Sequence, residues 1–169
     1  MSQDVSGWVE IAWNPPDDWE RVLSVGILVD RNRSLWSWLL QGSGAFPSAV
    51  PQRTLPGNLS AELLHEIEQL QPMVSQGEVH SFNWITWAEI ENVDWSMGPK
   101  EGREPKSVEP QYVVDANGHQ RVILVEQIYQ TRQDTLRDSP GWMLLFDLMR
   151  RLADRYGGDN VRLVVWFEG

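Results

Sequence analysis

The sequence predicts an α+β fold: one domain over residues 1–169, with a mixed or antiparallel sheet of N- and C-terminal strands and a central hairpin, packed by about four helices. Three observations lead there. Residues 7–13 alternate with period two, placing Trp8, Glu10 and Ala12 on one face and Val9, Ile11 and Trp13 on the other. Residues 161–167 are β-rich on both faces, the pattern of a strand with neighbours on each side. The helical segments between these ends do not alternate with strands as βαβ units would.

The remaining elements follow in chain order. Asn14-Pro15-Pro16 ends the first strand. Asp17 or Asp18 can cap a helix in which Trp19, Val22, Leu23, Gly26 and Ile27 recur at helical spacing. Ser34 can cap a short helix to Leu40, closed by Gly42. Residues 41–59, rich in Gly, Pro and Ser, read as a long flexible loop, a kind of segment that often carries function. Ser60 caps a helix over 61–71, with Leu63, Leu64, Ile67 and Leu70 apolar, and Pro72 stops it. Residues 79–85 are extended, and Thr86 with Glu89 has the capping-box spacing that opens a short helix. Residues 97–110 carry three Pro and two Gly and read as a second flexible stretch. Residues 111–130 form a hairpin around Asn117-Gly118. Ser139-Pro140 then opens a helix with Trp142, Leu145, Phe146, Met149 and Leu152 as its buried stripe, stopped at Gly157.

Composition narrows the function classes. Ten residues are Trp, and at about 150–250 Å² each they can supply a large core without disulfide or structural metal. The chain has no Cys, which excludes thiolate zinc sites and fits a reducing, cytoplasmic setting. Residues 1–7 lack the basic and apolar regions of a signal peptide, and no apolar run reaches the length of a membrane span. A formal net charge of −10 argues against duplex nucleic acid as a partner and suits a basic one. Of 14 basic residues only Lys100 and Lys106 are Lys. Arg offers a planar fork for carboxylate or phosphate, although codon bias explains the same excess.

Arg31, Asn32, Arg53, His80, Ser81 and Trp84 are the candidate binding residues. Their guanidinium, amide, imidazole and indole groups would suit a small anionic ligand if they met in one pocket. The competing expectation is that His80 and Ser81 satisfy a strand edge while Arg53 braces its loop. Adjacent strand residues point to opposite faces, so Ser81 is a poor nucleophile for His80. A metal-dependent hydrolase or nuclease would instead use His80 with Asp94 or Glu89. Glu62, His65, Glu66 and Gln69 fit a solvated helix face, and Gly42-Ser43-Gly44 lacks the context of a phosphate loop.

Three segments resemble a family of uncharacterised proteins of actinobacteria, other bacteria and their phages. They are Arg31-Asn32-Arg33-Ser34-Leu35-Trp36, then Arg53-Thr54-Leu55-Pro56, and His80-Ser81-Phe82-Asn83-Trp84-Ile85-Thr86 closing with Asp94-Trp95. Arg33, Thr54 and Asn58 replace a Tyr, a Gly and an acid of the family pattern. The resemblance implies no assigned activity and no cofactor; it suggests an inhibitor, immunity or sequestering role. The expectation is therefore a non-enzymatic protein that captures a small anionic ligand or a protein partner. The alternatives are the hydrolase and an interaction domain in a homo-oligomer or larger assembly.

Overall fold

The two terminal strands lie side by side at the centre of one sheet. β1 (Asp4–Asn14) pairs antiparallel with β6 (Val161–Glu168), while β2 (Asp18–Ser24) and β3 (Val79–Thr86) flank them in the order β2–β1–β6–β3. All three pairings are antiparallel. The computed structural model describes residues 4–29, 36, 46–103, 106–129 and 131–169, apart from the side chains of 106 and 107. Of the helix expected over 34–40 only Trp36 is described. Of the loop expected over 41–59, residues 46–59 are described, and they contain no helix or strand.

Both faces of the sheet are covered. α6 (Pro140–Tyr156) packs Trp142, Leu145, Phe146 and Met149 against Val9, Ile85, Leu163 and Val165. α2 (Ala61–Gln69) lies over the other face, where Leu63 and Ile67 meet Val79, Val164 and Trp166. The period of two in the terminal strands divides these two cores. On the α6 side a buried aromatic group forms: Trp36 stacks on Trp142, and Trp87, Trp95 and Trp142 meet Phe146 edge-on. No described helix is long and apolar enough to cross a membrane.

The caps form where the local chemistry demands them. Ser60 accepts the Leu63 amide at the start of α2. α3 (Gln71–Gln76) follows at once, because Pro72 falls in its first turn, where the missing N–H has no helical partner to lose. Thr86 and Glu89 close a capping box on α4 (Trp87–Glu91), and Thr131 with Asp134 closes another on α5 (Arg132–Arg137).

Two expectations are corrected. Residues 18–24 form β2, and only α1 (Val25–Leu28) is helical in the segment assigned to a helix. Trp19, Val22 and Leu23 fit either period, and pairing with β1 decides between them. Within the stretch expected to be flexible over 97–110, residues 106–110 belong to β4 (Lys106–Val114), which pairs with β5 (Gln120–Ile128) as a separate two-stranded sheet. Pro110 is tolerated because each strand of an isolated ribbon is an edge strand. The turn forms as expected, with the Asp115 carboxylate accepting the amides of Asn117 and His119.

Candidate functional site

The sheet face beneath α2 carries three units with one design: an Arg stacked on a Trp and paired with a Glu. The Arg21 guanidinium lies 4.3 Å from the Trp8 ring centre, and both side chains donate to Glu66 of α2. Arg162 lies 3.7 Å from the centre of Trp19 and donates to Glu10 through Nε at 2.8 Å. Arg53 lies 4.3 Å from the centre of Trp84, and its two terminal nitrogens donate to the two carboxylate oxygens of Glu89. A planar guanidinium can stack and form a bidentate pair at once, whereas an ammonium cannot. These contacts give three of the twelve Arg a structural task.

The middle unit is buried. Arg162 and Glu10 have side-chain exposures of 2% and 0%. Arg162 also donates to the side-chain and backbone oxygens of Asn58, and Glu10 accepts the backbone N–H of Ser60. The network therefore ties the two central strands to the segment that enters α2.

The sequence-predicted site residues divide between places. Arg53 and Trp84 come together, but with Glu89 as the partner of the guanidinium. His80 packs edge-on against Phe167 on the opposite face of the sheet, the α6 side. The single pocket joining Arg53, Trp84 and His80 is therefore not formed. Arg31 and Asn32 lie outside the described residues. Ser81 does not oppose His80 as strand alternation predicts: a register irregularity follows His80, Ser81 adopts φ +58°, and its Oγ lies 2.8 Å from His80 Nδ1. A bulge re-aims a side chain in this way.

The hydrolase arrangement is not assembled either. His80 stands near the start of β3 and Glu89 and Asp94 beyond its end, with the six residue steps from His80 to Thr86 spanning roughly 20 Å. Asp94 accepts from the backbone and hydroxyl of Ser96, contacts that hold its carboxyl below the usual range. Among the described residues no three His, Cys, Asp or Glu side chains gather closely enough to hold a metal ion.

Glu89 has a pH signature. Its hydrogen bonds from Arg53 lower its pKa below the ordinary 4.5, against the opposing effect of partial burial, and the Thr86 backbone N–H adds to the lowering. A carboxylate held below its unfolded value stabilises the fold fully above that value and loses its contribution as the pH falls through the folded one. The melting temperature of the wild type should therefore fall more steeply than that of Glu89→Gln as the pH is lowered from about 5.5 to 3. Differential scanning fluorimetry of both proteins reads the difference, in which the response of the other carboxylates cancels. Parallel curves would show that the Arg53–Glu89 pair contributes nothing.

Beside the middle unit, the β1–β2 turn and the start of α2 enclose an open cleft of about 520 Å³. Trp13, Asp17, Asp18, Trp19, Glu20 and Glu62 are among the residues that line it, two aromatic and four acidic. Trp13 is 60% exposed. Trp19 is held from behind by the Arg162 stack and by its indole N–H, which donates to Pro16 O at 3.0 Å. The helix dipole at this end of α2 is already met by Glu62 in the first turn and by the Ser60 cap. The sequence reading spreads these residues over the first strand (Trp13), an expected helix and its cap (Asp17, Asp18, Trp19) and a solvated face of the next helix (Glu62), and so misses the cleft. The available signal was the density of Trp and acid on both sides of Pro15-Pro16.

No family model, curated protein or solved structure matches this chain.

Proposed function

We propose that this chain is a non-enzymatic interaction protein whose acidic, tryptophan-walled cleft receives a basic segment of a protein partner. The observation that carries this reading is that four acidic residues and two Trp line one open cleft. A Lys or Arg side chain entering there would meet opposite charge and an aromatic face together, two attractions that reinforce each other where water is partly displaced. An exposed Trp at the mouth is the residue type that most often dominates an interface. The small-anion reading is less well supported, because Arg21, Arg53 and Arg162 already face carboxylates. The motif resemblance agrees with a sequestering role and adds no chemistry.

An oligolysine peptide titrated at physiological salt, with Trp fluorescence as readout, tests this. Asp17→Asn/Asp18→Asn should weaken binding by about 10-fold or more, equal to about 1.4 kcal/mol. Asp147→Asn/Asp154→Asn removes the same charge from α6, on the other side of the sheet, and should change affinity by less than about 2-fold. Equal weakening by both pairs would reduce the effect to net charge and end the cleft reading. A melting-temperature rise with inorganic phosphate but none with oligolysine would return the function to an anionic ligand.

A further inference from the structure

The β4–β5 hairpin presents an apolar face that nothing described in this chain covers. Its register puts Val108, Tyr112 and Val114 on the same face as Val122, Leu124 and Ile128. These six side chains are between 45% and 72% exposed. Gln120 and Glu126 share this face, while the reverse face is more polar, with Glu109, Gln111, Arg121 and Gln127 beside Val113, Ile123 and Val125. Each strand has nine residues, so the ribbon extends about 30 Å. Among the described elements, its extensive contacts are between its own two strands. A lone two-stranded hairpin is at best marginally stable in water, and a contiguous exposed apolar patch of this size marks an interaction surface.

We propose that this face is a homodimer interface and that its occupant is the same face of a second copy. Area is the first reason. Six side chains exposing on the order of 100 Å² each give roughly 600 Å² per copy, so two copies bury about 1,200 Å², the threshold of stable specific interfaces. Charge is the second. The chain carries −10 overall, yet among apolar side chains this face holds a single acid, Glu126, so two copies can meet here with most of their acidic surface directed elsewhere. A basic partner finds its complement in the cleft and little on this ribbon. Shape is the third: an extended amphipathic ribbon is complementary to itself about a two-fold axis, as an isologous contact requires. Packing two such faces turns two marginal ribbons into a four-stranded sandwich with a mainly apolar interior.

Sedimentation equilibrium of the full chain at micromolar concentration should give twice the 19.5 kDa chain mass. Leu124→Lys and, separately, Tyr112→Lys should each shift the equilibrium towards monomer by about 10-fold or more, because in a two-fold contact the charge enters from both sides. Gln111→Lys adds the same charge to the reverse face and should leave the dimer unchanged. All three side chains in these comparisons are exposed on the ribbon, and far-UV circular dichroism confirms that each variant is folded. A wild type that is monomeric throughout overturns the proposal, whether another segment of the chain or a different protein covers the face. So does a dimer that survives both apolar-face substitutions, or one that Gln111→Lys disrupts equally. Failure here leaves the cleft reading intact, since that rests on other residues.

Discussion

Replacing Arg162 by Ala should lower the unfolding free energy by about 3–5 kcal/mol, the range for breaking a buried ion pair from one side. A single domain has only about 5–15 kcal/mol in total, so the variant should be close to unfolding at 37 °C. The magnitude follows from what the substitution leaves behind. Glu10 is fully buried and would keep the Ser60 N–H while losing its counter-charge. The Asn58 side chain and backbone would both lose a donor, and Trp19 would lose the cation that supports its ring. Burial pushes the Arg162 pKa down while Glu10 pulls it back up, and guanidinium remains charged throughout the working pH range. Glu10→Ala should be similarly damaging, since it strands the guanidinium instead. The informative comparison is the double variant Glu10→Leu/Arg162→Met. If the penalty is that of an orphaned charge, removing both partners should restore most of the loss, to within about 1–2 kcal/mol of the wild type. Urea denaturation of the four proteins measures this without adding salt. A single-variant loss below about 1 kcal/mol would mean that water reaches the pair and that the network does not hold the sheet to α2.

Elements fixed by neighbouring residues were legible in the sequence. The Thr86–Glu89 capping box, the Ser60 cap, the Asn117-Gly118 turn and the buried stripe of α6 need only a few consecutive side chains, and each is found. The central position of β6 was also legible, since a strand buried along seven consecutive residues must have neighbours on both sides. Elements fixed by distant pairing were not. β2 fits a helical period as well as an extended one, and β1 determines its form. Arg53 and Glu89 stand 36 positions apart, so the sequence offered Glu89 as a cap and as a metal ligand but not as the partner of Arg53. Glu10 and Arg162 are 152 positions apart. Trp84 and Trp87, only three positions apart, lie in the α2-side and α6-side cores respectively. His80 and Ser81 meet because of one irregular backbone angle that alternation does not encode. The cleft was visible only as a local density of Trp and acid around Pro15-Pro16, because its walls come from a turn and a helix start more than 40 residues apart.

Gly7→Ala should cost about 2–6 kcal/mol, combining a backbone conformation rarely adopted by L residues with overpacking, each worth about 1–3 kcal/mol. Gly7 sits in β1 opposite Val165 of β6, with φ +150°. A Cβ built there would lie 2.1 Å from the carbonyl oxygen of Val164 and 2.9 Å from the Val165 Cα. Both are backbone atoms of the neighbouring central strand, so no side-chain rotation relieves the clash. One strand must move, and the ladder that continues from Gly7–Val165 to Glu10–Arg162 moves with it. The substitution should therefore also weaken the buried ion pair, so Gly7→Ala and Arg162→Ala should combine sub-additively when both are introduced. Gly57→Ala is the matched control: a Cβ there meets nothing within 4 Å, and the change should stay within about 0.5 kcal/mol of neutral. Urea melts of the two single variants, with hydrogen exchange of the β1 and β6 amides, separate a local ladder defect from global loss. A Gly7→Ala protein as stable as the wild type would require a different register between the two terminal strands, and with it a different partner for Glu10.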